Sequence, residues 1–359
     1  MSKNKTKIFL YAHINNIGAF NLNCRTIAKY IDKKRFEVYT LSLSSGNLDT
    51  PNFKGVKIFN CFYPAKISNY LGILWGIYNC DVAYIPGGNF YRYINFLLKL
   101  FKKPSFKRQG NLIDEKALKS FLPIIRKTEN LKRVYNFHTK VLAPSKFVGE
   151  YNYKKWDLKY DSTVFMPPFM DSDSFTKKII YNETVKDIIF IGNDMERKGI
   201  HEFLDIAFKF PELNFHIVGR DTVLDGILNQ VYRKQLKNIK YHGELCPDKL
   251  NSLLVNEIDL HVFPSKSEGF GKVTIETAFC GIPSIIYGTY GAEEWLKSGD
   301  EGIIASSFDD FILYIDQLSK DKDYYSKLIK GTDDLANRFE IRKRIKVFEK
   351  VSIELTKNE

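Results

Sequence analysis

The sequence predicts an α/β protein of two consecutive domains, each built on a parallel β-sheet flanked by helices. Its 359 residues suit two ordinary domains. The chain opens with a strand–helix–strand pattern, in which Lys7–Ala12 and Phe36–Leu43 are apolar runs and Phe20–Lys33 has helical spacing. After the Pro-, Ser- and Asp-rich stretch 167–178, which is typical of a domain junction, the same alternation of strands and helices starts again.

Further strands are expected wherever a short apolar run is bounded by polar or turn residues. In the first half these runs are Val56–Phe59, Val82–Ile85 and Val141–Ala143. In the second half they are Ile188–Ile191, Asn214–Val218, Ile239–His242, His261–Phe263 and Ser284–Tyr287. A helix is expected from Gly199, and the final stretch Asp323–Leu355 has the pattern of an amphipathic helix. Because such sheets bind ligands beyond the carboxyl ends of their strands, we expect the site there, in the cleft between the domains.

The net charge of +12 is unevenly distributed along the chain. Residues 1–175 carry 28 basic and 12 acidic side chains, whereas residues 176–359 carry 26 basic and 30 acidic ones. A basic first half indicates an anionic partner, which could be nucleic acid, a membrane surface or a phosphorylated substrate. No RRM, KH or helix-turn-helix signature is present, so we do not expect nucleic-acid binding.

Composition also bears on the compartment. The apolar stretch Tyr70–Phe101 is interrupted by Asp81, Arg92 and the turn Pro86–Gly88, so we expect no transmembrane helix. The five cysteines are scattered and form no C-x-x-C pair, which favours neither a zinc site nor a disulfide framework. A reducing, cytoplasmic location fits this pattern best.

The most informative window is Phe263–Pro283. Here a strand ends in Pro-Ser, Glu268 stands before a Gly-Phe-Gly turn, and Glu276 follows eight positions later. A helix that starts near Gly271 would present free backbone N–H groups and a positive dipole end, which favour phosphate. At 1.5 Å per residue, a continuous helix would separate the two carboxylates by about 12 Å.

A second glycine-bounded loop, Gly192–Gly199, also joins an expected strand to an expected helix. It carries Arg197 and Lys198, cations placed to meet a pyrophosphate at a helix N-terminus. It does not match the Walker A pattern. In the first domain, Gly18 opens the first long helix and would let a ligand approach the backbone closely.

These motifs resemble those of retaining GT-B-fold glycosyltransferases of family 4, the glycosyl transferases group 1. The E-x7-E signature of that family matches Glu268 and Glu276 within SEGFGKVTIETAFCGIP, and FIGNDMERKGIHEFLDIA and DLHVFPS add weaker matches. The resemblance covers residues 141–305, whereas residues 1–140 match in layout only. It implies two Rossmann-like doubly wound domains facing a cleft. The implied parts are an acceptor-binding domain over 1–172, a nucleotide-sugar-binding domain over 173–335, and a C-terminal helix over 336–359 that packs back on the N-terminal domain.

The resemblance also implies roles for individual residues. Glu268 and Lys198 are the catalytic candidates, with Glu268 on hydroxyls of the donor sugar and Lys198 on the pyrophosphate. The other donor-binding candidates are Gly18, Asn193, Arg197, Tyr241, Gly243, Gly269, Phe270, Gly271 and Glu276. The acceptor-side candidates are His13, Arg108 and Gln109. Two positions depart from the family, because Asn193 stands where an arginine is common and Gln109 where a histidine is common.

The function implied is transfer of a sugar from a nucleoside diphosphate sugar to a glycan or lipid-linked acceptor, in bacterial surface polysaccharide assembly. The resemblance implies a retaining mechanism, and we expect no metal and no other cofactor. Two alternatives stay open, namely a catalytically silent GT-B relative that acts as a binding partner and a sugar-nucleotide epimerase. The segment Asn89–Arg108, which interleaves aromatic and basic residues, has two interpretations. It is either an interfacial patch on the anionic inner face of the plasma membrane or an amphipathic helix that covers the core.

Overall fold

The computed structural model describes residues 5–120, 127–223 and 226–357, and the chain divides into two compact units. Unit 1 comprises Met1–Met170 with Ile341–Glu359, and unit 2 comprises Asp171–Glu340. The boundaries expected from the sequence, 172/173 and 335/336, are therefore displaced by two and five residues. Met170 is still buried, and the last helix of unit 2 continues to Phe339.

The regular elements alternate along both units. The strands are β1 Thr6–His13, β2 Phe36–Leu43, β3 Val56–Cys61, β4 Val82–Tyr84, β5 Ser105–Arg108, β6 Lys140–Ala143, β7 Asp161–Phe165, β8 Asp187–Ile191, β9 Asn214–Val218, β10 Ile239–Tyr241, β11 Leu260–Phe263, β12 Ser284–Tyr287 and β13 Ile303–Ala305. The helices are α1 Ala19–Tyr30, α2 Ala65–Asn79, α3 Tyr91–Leu100, α4 Glu115–Ser120, α5 Thr128–Tyr135, α6 Lys146–Trp156, α7 Ile200–Lys209, α8 Ile227–Arg233, α9 Pro247–Asn256, α10 Lys272–Phe279, α11 Phe308–Leu318, α12 Lys322–Phe339 and α13 Ile341–Lys357.

Each unit is built on one parallel sheet with a reversal of strand order in its middle. The sheet of unit 1 has the order β3-β2-β1-β4-β5-β6-β7, and that of unit 2 the order β10-β9-β8-β11-β12-β13. The predicted α/β fold class, with two Rossmann-like doubly wound units, is confirmed. In such sheets ligands bind outside the carboxyl ends of the strands at the point of reversal, which is β1/β4 in unit 1 and β8/β11 in unit 2. Over the described ranges, no helix is long and apolar enough to cross a bilayer.

The two faces of the unit 1 sheet are covered by different helix pairs. On one face, α1 and α13 close over an apolar cluster that includes Ile8, Tyr84, Phe106 and Phe348. On the other face, α2 and α3 cover a second cluster, and they pack against each other through Tyr70 and Tyr93, whose ring centroids are 4.8 Å apart.

Helix α2 packs on the sheet through Ile73, Ile77 and two glycines, and it leaves other large side chains exposed on its outward side. Its inward side includes Gly72 and Gly76, and a Cβ atom at Gly76 would collide with the ring of Phe9. Glycine at these positions therefore lets the helix lie close to the strands. On the outward side, Ile67 and Tyr78 are exposed, although helices of globular proteins usually bury such side chains.

Several sequence expectations differ from the structure. The segment Asn89–Arg108 is not one helix, because α3 ends at Leu100 and the chain continues into β5, an interior strand. The expected helix Asp323–Leu355 is two helices, broken at Glu340, whose ψ of 130° is extended. The sequence patterns did not predict strands β5, β7 and β13.

A buried ion pair joins the two central strands of unit 2. Asp259, just before β11, accepts hydrogen bonds from Lys178 Nζ at 3.0 Å and from the backbone N–H groups of Lys186 and Asp187 at 3.0 and 3.2 Å. Its own N–H donates to Asp187 O at 2.9 Å. Lys178 and Asp259 are almost fully buried, so the pair fixes the start of β11 relative to the start of β8.

We expect Asp259→Ala to lower the free energy of unfolding by about 3–5 kcal/mol, because it leaves the buried Lys178 ammonium without a counter-ion. The matched control is Asp333→Ala, which removes the exposed partner of the neighbouring Lys177 and should cost no more than about 1 kcal/mol. Urea denaturation of both variants measures this difference, and equal losses would contradict it.

Candidate functional site

The candidate site of unit 2 is formed by two neighbouring loops at the carboxyl ends of β8 and β11. The first, 192–199, leads into α7, and the second, 264–271, leads into α10. Each helix begins after a glycine in the left-handed region, Gly199 with φ 83° and Gly271 with φ 74°. Because β8 and β11 are hydrogen-bonded neighbours, the free N–H groups of both helix starts lie at the same edge of the sheet.

An ion pair connects the two loops. Arg197 Nη1 lies 3.2 Å from Glu268 Oε1 and also donates to the carbonyl of Ser267, while its Nε lies 2.7 Å from Asp194 Oδ2. Burial lowers the pKa of Arg197, but the charge of Glu268 and the bond to Asp194 outweigh it, so the pKa is raised overall. The Arg197 guanidinium is therefore bound to protein groups rather than free for a phosphate.

Only one oxygen of the Glu268 carboxylate has hydrogen-bond partners among the described residues. Oε1 accepts hydrogen bonds from Arg197 and from Ser265 Oγ, the latter at 3.0 Å. No described residue donates a hydrogen bond to Oε2, which leaves this oxygen available to a ligand. Ser265 was not singled out from the sequence, and its only signal was its place directly after the strand.

Lys198 is a half-buried cation at the start of α7. Its Nζ lies 4.9 Å from the centroid of the Phe263 ring, and no carboxylate of the described residues pairs with it. A Cβ atom at Gly192 would lie 2.5 Å from Lys198 Cδ, so the glycine makes room for the lysine stem. Burial lowers the pKa of His261 to about 3, and the nearby Lys198 charge contributes. Lys198 is thus a cation beside a neutral imidazole, free to bind an anion.

Side-chain packing fixes the Gly269–Gly271 turn. Phe270 is buried between Trp295 and Phe339, with ring centroids 4.9 and 5.5 Å away. The carbonyl of Trp295 accepts from Arg338 Nη2 at 2.8 Å, and Arg338 forms a two-pronged ion pair with the buried Glu301. This chain of contacts holds the backbone amides at the start of α10 in place.

The expected helical spacing of about 12 Å between the two glutamates does not apply. Glu268 lies before the N-cap of α10 and Glu276 lies within the helix, so half of the intervening residues belong to the loop. Glu276 is partly buried and pairs with Lys272 at 2.8 Å.

A tyrosine that the sequence analysis missed lies against this turn. The hydroxyl of Tyr290 is fully buried and has no hydrogen-bond partner, and a Cβ atom at Gly271 would lie 3.2 Å from it. Burial, followed by the charges of Glu268 and Glu293, raises the pKa of Tyr290. A neutral hydroxyl therefore faces the start of α10. Tyr290 begins the segment YGAEEWLKSGDEGII, which resembles the family, but no sequence pattern assigned it a role.

The remaining donor-side candidates lie at the ends of β8 and β10. Asn193 Oδ1 accepts from the N–H of Arg220 at 2.7 Å, and Tyr241 donates its hydroxyl to Gly219 O at 3.0 Å. A Cβ atom at Gly243 would meet no atom within 4 Å, so space is open beside this residue. Their assignment to a nucleotide stays a prediction.

Two unit 1 candidates lie around the end of β1. Gly18 is the N-cap of α1 with φ −58°, so its backbone does not require glycine. His13 Nε2 lies 2.6 Å from Asn69 Oδ1; burial lowers the pKa of His13 and the bond to Asn69 partly opposes this.

The other two acceptor-side candidates, Arg108 and Gln109, are buried at the end of β5. Gln109 is fully buried, donates to Lys159 O at 3.3 Å and accepts from Asn152 Nδ2 at 2.9 Å. Both ends of its amide are thus used within the core, which corrects its placement beside an acceptor.

Lys107 is a further buried cation that the sequence patterns placed on a surface helix. Its Nζ donates to the carbonyls of Ile85, Pro86 and Gly87 at 3.1, 3.3 and 2.5 Å, and lies 5.0 Å from the centroid of the Tyr135 ring. Lys107 therefore holds the turn at the carboxyl end of β4. Burial lowers its pKa to about 7.

We expect Lys107 to make stability depend on pH. Its pKa is about 7 in the folded chain, against 10.5 for a lysine exposed to water, so between these values the unfolded chain binds more protons and stability rises with pH. Lys107→Met should remove this rise. Urea denaturation between pH 7 and 10.5 measures it, with the exposed Lys99→Met as control. Parallel curves for the parent and Lys107→Met would contradict the prediction.

Comparison with known proteins bears mainly on unit 2. Residues 171–334 match the family model described as "Glycosyl transferases group 1". An uncharacterized glycosyltransferase of Methanocaldococcus jannaschii is 32% identical over 130 residues, which is 36% of each chain. A processive diacylglycerol alpha-glucosyltransferase of Acholeplasma laidlawii is 27% identical over 128 residues, which is 34% of this chain and 38% of that protein. The chain thus spans about a third of the length of the curated relatives it matches.

Solved structures share the architecture of the whole chain. The crystal structure of Anabaena HepE in complex with UDP-glucose has a TM-score of 0.74 to this chain and covers 96% of it and 99% of its own chain, at 16% identity. This likeness shows the fold, which is that of GT-B glycosyltransferases. Residues 171–334 carry the sequence features of glycosyl transferases group 1.

Proposed function

We propose that the protein is a glycosyltransferase that moves a sugar from a nucleoside diphosphate sugar to a glycan or lipid-linked acceptor in the assembly of a bacterial surface polysaccharide. The observation that carries this proposal is the pair of adjacent helix starts with Lys198 and Glu268, inside the segment that matches glycosyl transferases group 1. The UDP-glucose complex of Anabaena HepE and the name of the Acholeplasma laidlawii relative support the donor class and a lipid acceptor.

In this proposal the donor binds at the edge of the unit 2 sheet. The diphosphate is bound by Lys198 and by the amides at the start of α10, which need no reorganisation as charge develops on the leaving group. Glu268 Oε2 accepts hydrogen bonds from hydroxyls of the sugar, and Glu276 binds the ribose. The base lies near Tyr241 and Gly243.

The proposed transfer retains the anomeric configuration. An acceptor hydroxyl attacks the anomeric carbon on the face from which the diphosphate leaves. The new carbon–oxygen bond forms as the bond to phosphate breaks, and the departing phosphate takes the proton. Arg197 acts as a positioning residue in this scheme, because it orients Glu268 rather than binding the phosphate. Metal independence stays a prediction, which turnover in the presence of a chelator tests.

We expect Lys198→Ala to lower kcat by about 10²–10³-fold, because it removes a charge that stabilises the leaving diphosphate. Lys209→Ala at the other end of α7 is the matched control and should have parental turnover. Turnover is assayed with UDP-, GDP- and ADP-sugars after a thermal-shift screen selects the donor.

The same assay separates the alternatives. A silent relative would bind a nucleotide sugar without any turnover, and an epimerase would convert the donor without an acceptor. Glu268→Gln should abolish transfer under the main proposal. No thermal shift with any donor would overturn it.

We further propose that the protein docks on an anionic membrane through the α2–α3 face, defined by Ile67, Leu71, Tyr78, Phe96 and Leu100. All five side chains are exposed and largely apolar, and they lie on two helices that pack against each other. The loop before α2 adds Tyr63, which is 90% exposed. Exposed apolar side chains grouped on neighbouring elements are typical of an interaction site.

The charged residues near this face indicate what kind of partner it binds. Between residues 62 and 103 the basic residues are Lys66, Arg92, Lys99, Lys102 and Lys103. The single acidic residue there, Asp81, accepts a hydrogen bond from the N–H of Lys7 at 2.8 Å. Apolar side chains flanked by cations fit the interface of a bilayer with anionic lipids, at the inner face of the plasma membrane.

We expect Leu71→Ser and Phe96→Ser each to weaken binding to vesicles of phosphatidylcholine and phosphatidylglycerol by about tenfold or more, through lost apolar burial. Leu313→Ser, which changes an exposed leucine of unit 2, should have no effect. Co-sedimentation measures binding, and vesicles of phosphatidylcholine alone should bind weakly. Unchanged binding of the variants, or a dimer that they dissociate, would overturn the proposal.

A further inference from the structure

Arg108 is a buried charge at the end of β5. It is 6% exposed, and its side chain makes no hydrogen bond or ion pair with any described residue. Its Nε and Nη1 atoms are fully buried and unpartnered. The adjacent Lys107 is as deeply buried, but its ammonium donates to three carbonyls. A guanidinium stays protonated at any physiological pH, so Arg108 carries a desolvation cost that nothing described in unit 1 offsets.

The side chain lies on the apolar face of the sheet beneath α1. Phe106, two residues earlier on the same strand, belongs to the cluster covered by α1 and α13, and alternate residues of a strand share a face. Burial raises the pKa of Cys24 on α1 to about 12, and the nearby Arg108 charge opposes this rise. Arg108 therefore lies close to the inner side of α1, among neutral groups.

Two more polar atoms on this face are buried without partners. They are the hydroxyl of Tyr84 on β4 and Oδ1 of Asn23 on α1. Tyr84 is the register partner of Phe106, two residues before Arg108 on β5. Burial raises the pKa of Tyr84, and the Arg108 charge acts against this. A donor, an acceptor and a cation, all unpartnered, thus occur in one part of the core, whereas buried polar groups in folded proteins normally have partners.

The start of α1 closes over the same end of the sheet. A Cβ atom at Gly110 would lie 2.9 Å from the ring of Phe20, which is in the first turn of this twelve-residue helix. The free N–H groups of α1 and its positive dipole end therefore point to the carboxyl edge at which β5 ends.

We propose that Arg108 anchors an anion-binding site in unit 1, whose ligand carries a phosphate or carboxylate group. The identification of this ligand with the sugar acceptor rests on the proposed function, whereas the anion site itself does not.

The chemistry of the site defines the ligand. The Nε and Nη2 atoms of an arginine form a side-on fork that matches two oxygens of one phosphate or carboxylate group, and the Nε atom of Arg108 is one of its two buried nitrogens without a partner. The Tyr84 hydroxyl donates a further hydrogen bond to such an oxygen, and Asn23 Oδ1 accepts one from a hydroxyl next to the anionic group. An acceptor of this class is a glycan or lipid headgroup with an anionic substituent beside a free hydroxyl.

The test uses the full chain with Lys198→Ala in the background, which removes the phosphate-binding cation of the donor site, and the response to phosphate that depends on Arg108 is the difference between this variant and the one that also carries Arg108→Met. Inorganic phosphate should raise Tm relative to chloride at equal ionic strength, and adding Arg108→Met should abolish that rise. Without phosphate, Arg108→Met should raise Tm by about 2–4 °C, because an apolar side chain replaces an uncompensated charge. Acetate in place of phosphate separates a carboxylate site from a phosphate site.

The controls distinguish this proposal from a structural role and from the proposed function. The exposed Arg133→Met should change neither the Tm nor the response to phosphate. An Arg108→Met variant that is destabilised without phosphate, or that retains the full response, would overturn the anion site. Nucleotide binding is read separately as the UDP-dependent rise in Tm of an Arg108→Met single variant, which should equal that of the parent. If UDP raises the Tm of neither the parent nor the Arg108→Met variant, that result would count against the donor site and not against the anion site.

Discussion

The buried carboxylate of Asp259 is the constraint on which the candidate site of unit 2 depends. This carboxylate links the start of β11 to the start of β8 and to the segment that leads into β8. The backbone carbonyl of Asp259 accepts a hydrogen bond from the hydroxyl of Tyr325 on α12 at 3.0 Å. The two strands whose beginnings are fixed in this way end in the loops that carry Lys198 and Glu268. A displacement of β11 along β8 would move Glu268 away from Arg197, so the register of the strands and the geometry of the site are set together.

The site itself combines held and free groups. Arg197, Ser265 and the Phe270–Trp295 stack hold one oxygen of Glu268 and the Gly269–Gly271 turn in place. By contrast, the Lys198 ammonium and Glu268 Oε2 have no ionic or hydrogen-bonding partner among the described residues. Groups that protein contacts already hold in place lose little conformational entropy when a ligand binds. This favours binding of a charged substrate to the atoms that have no protein partner among the described residues.

Much of this arrangement was predictable from the sequence, and the limits have physical causes. Short apolar-rich segments such as β9 and β12 are bounded by turn residues, so the bounds of these strands match the sequence prediction, and Gly199 and Gly271 mark the helix starts. Strand β5 was missed because it contains Lys107 and Arg108, and a sequence pattern places cations on the surface. Only the structure shows that the Lys107 ammonium donates hydrogen bonds to three carbonyls, whereas the Arg108 side chain has no acceptor among the described residues.

Side-chain partners were the other limit. The spacing of Glu268 and Glu276 identified the site, but it could not show that Arg197 would pair with Glu268, because their contact spans 71 positions. Tyr290 begins a segment that resembles the family, but nothing in that segment showed that its hydroxyl would lie against Gly271. The amide of Gln109 was read as a site group, whereas its neighbours Asn152 and Lys159 use both of its ends.

The two sides of α2 are under different constraints. At Gly72 and Gly76 the inward side leaves no volume for a larger residue. On the outward side Ile67 and Leu71 are exposed, so substitutions at these positions change little of the packing within unit 1. Related chains could therefore acquire different surfaces along this helix, each suited to a different location or partner, while the sheet beneath stays the same.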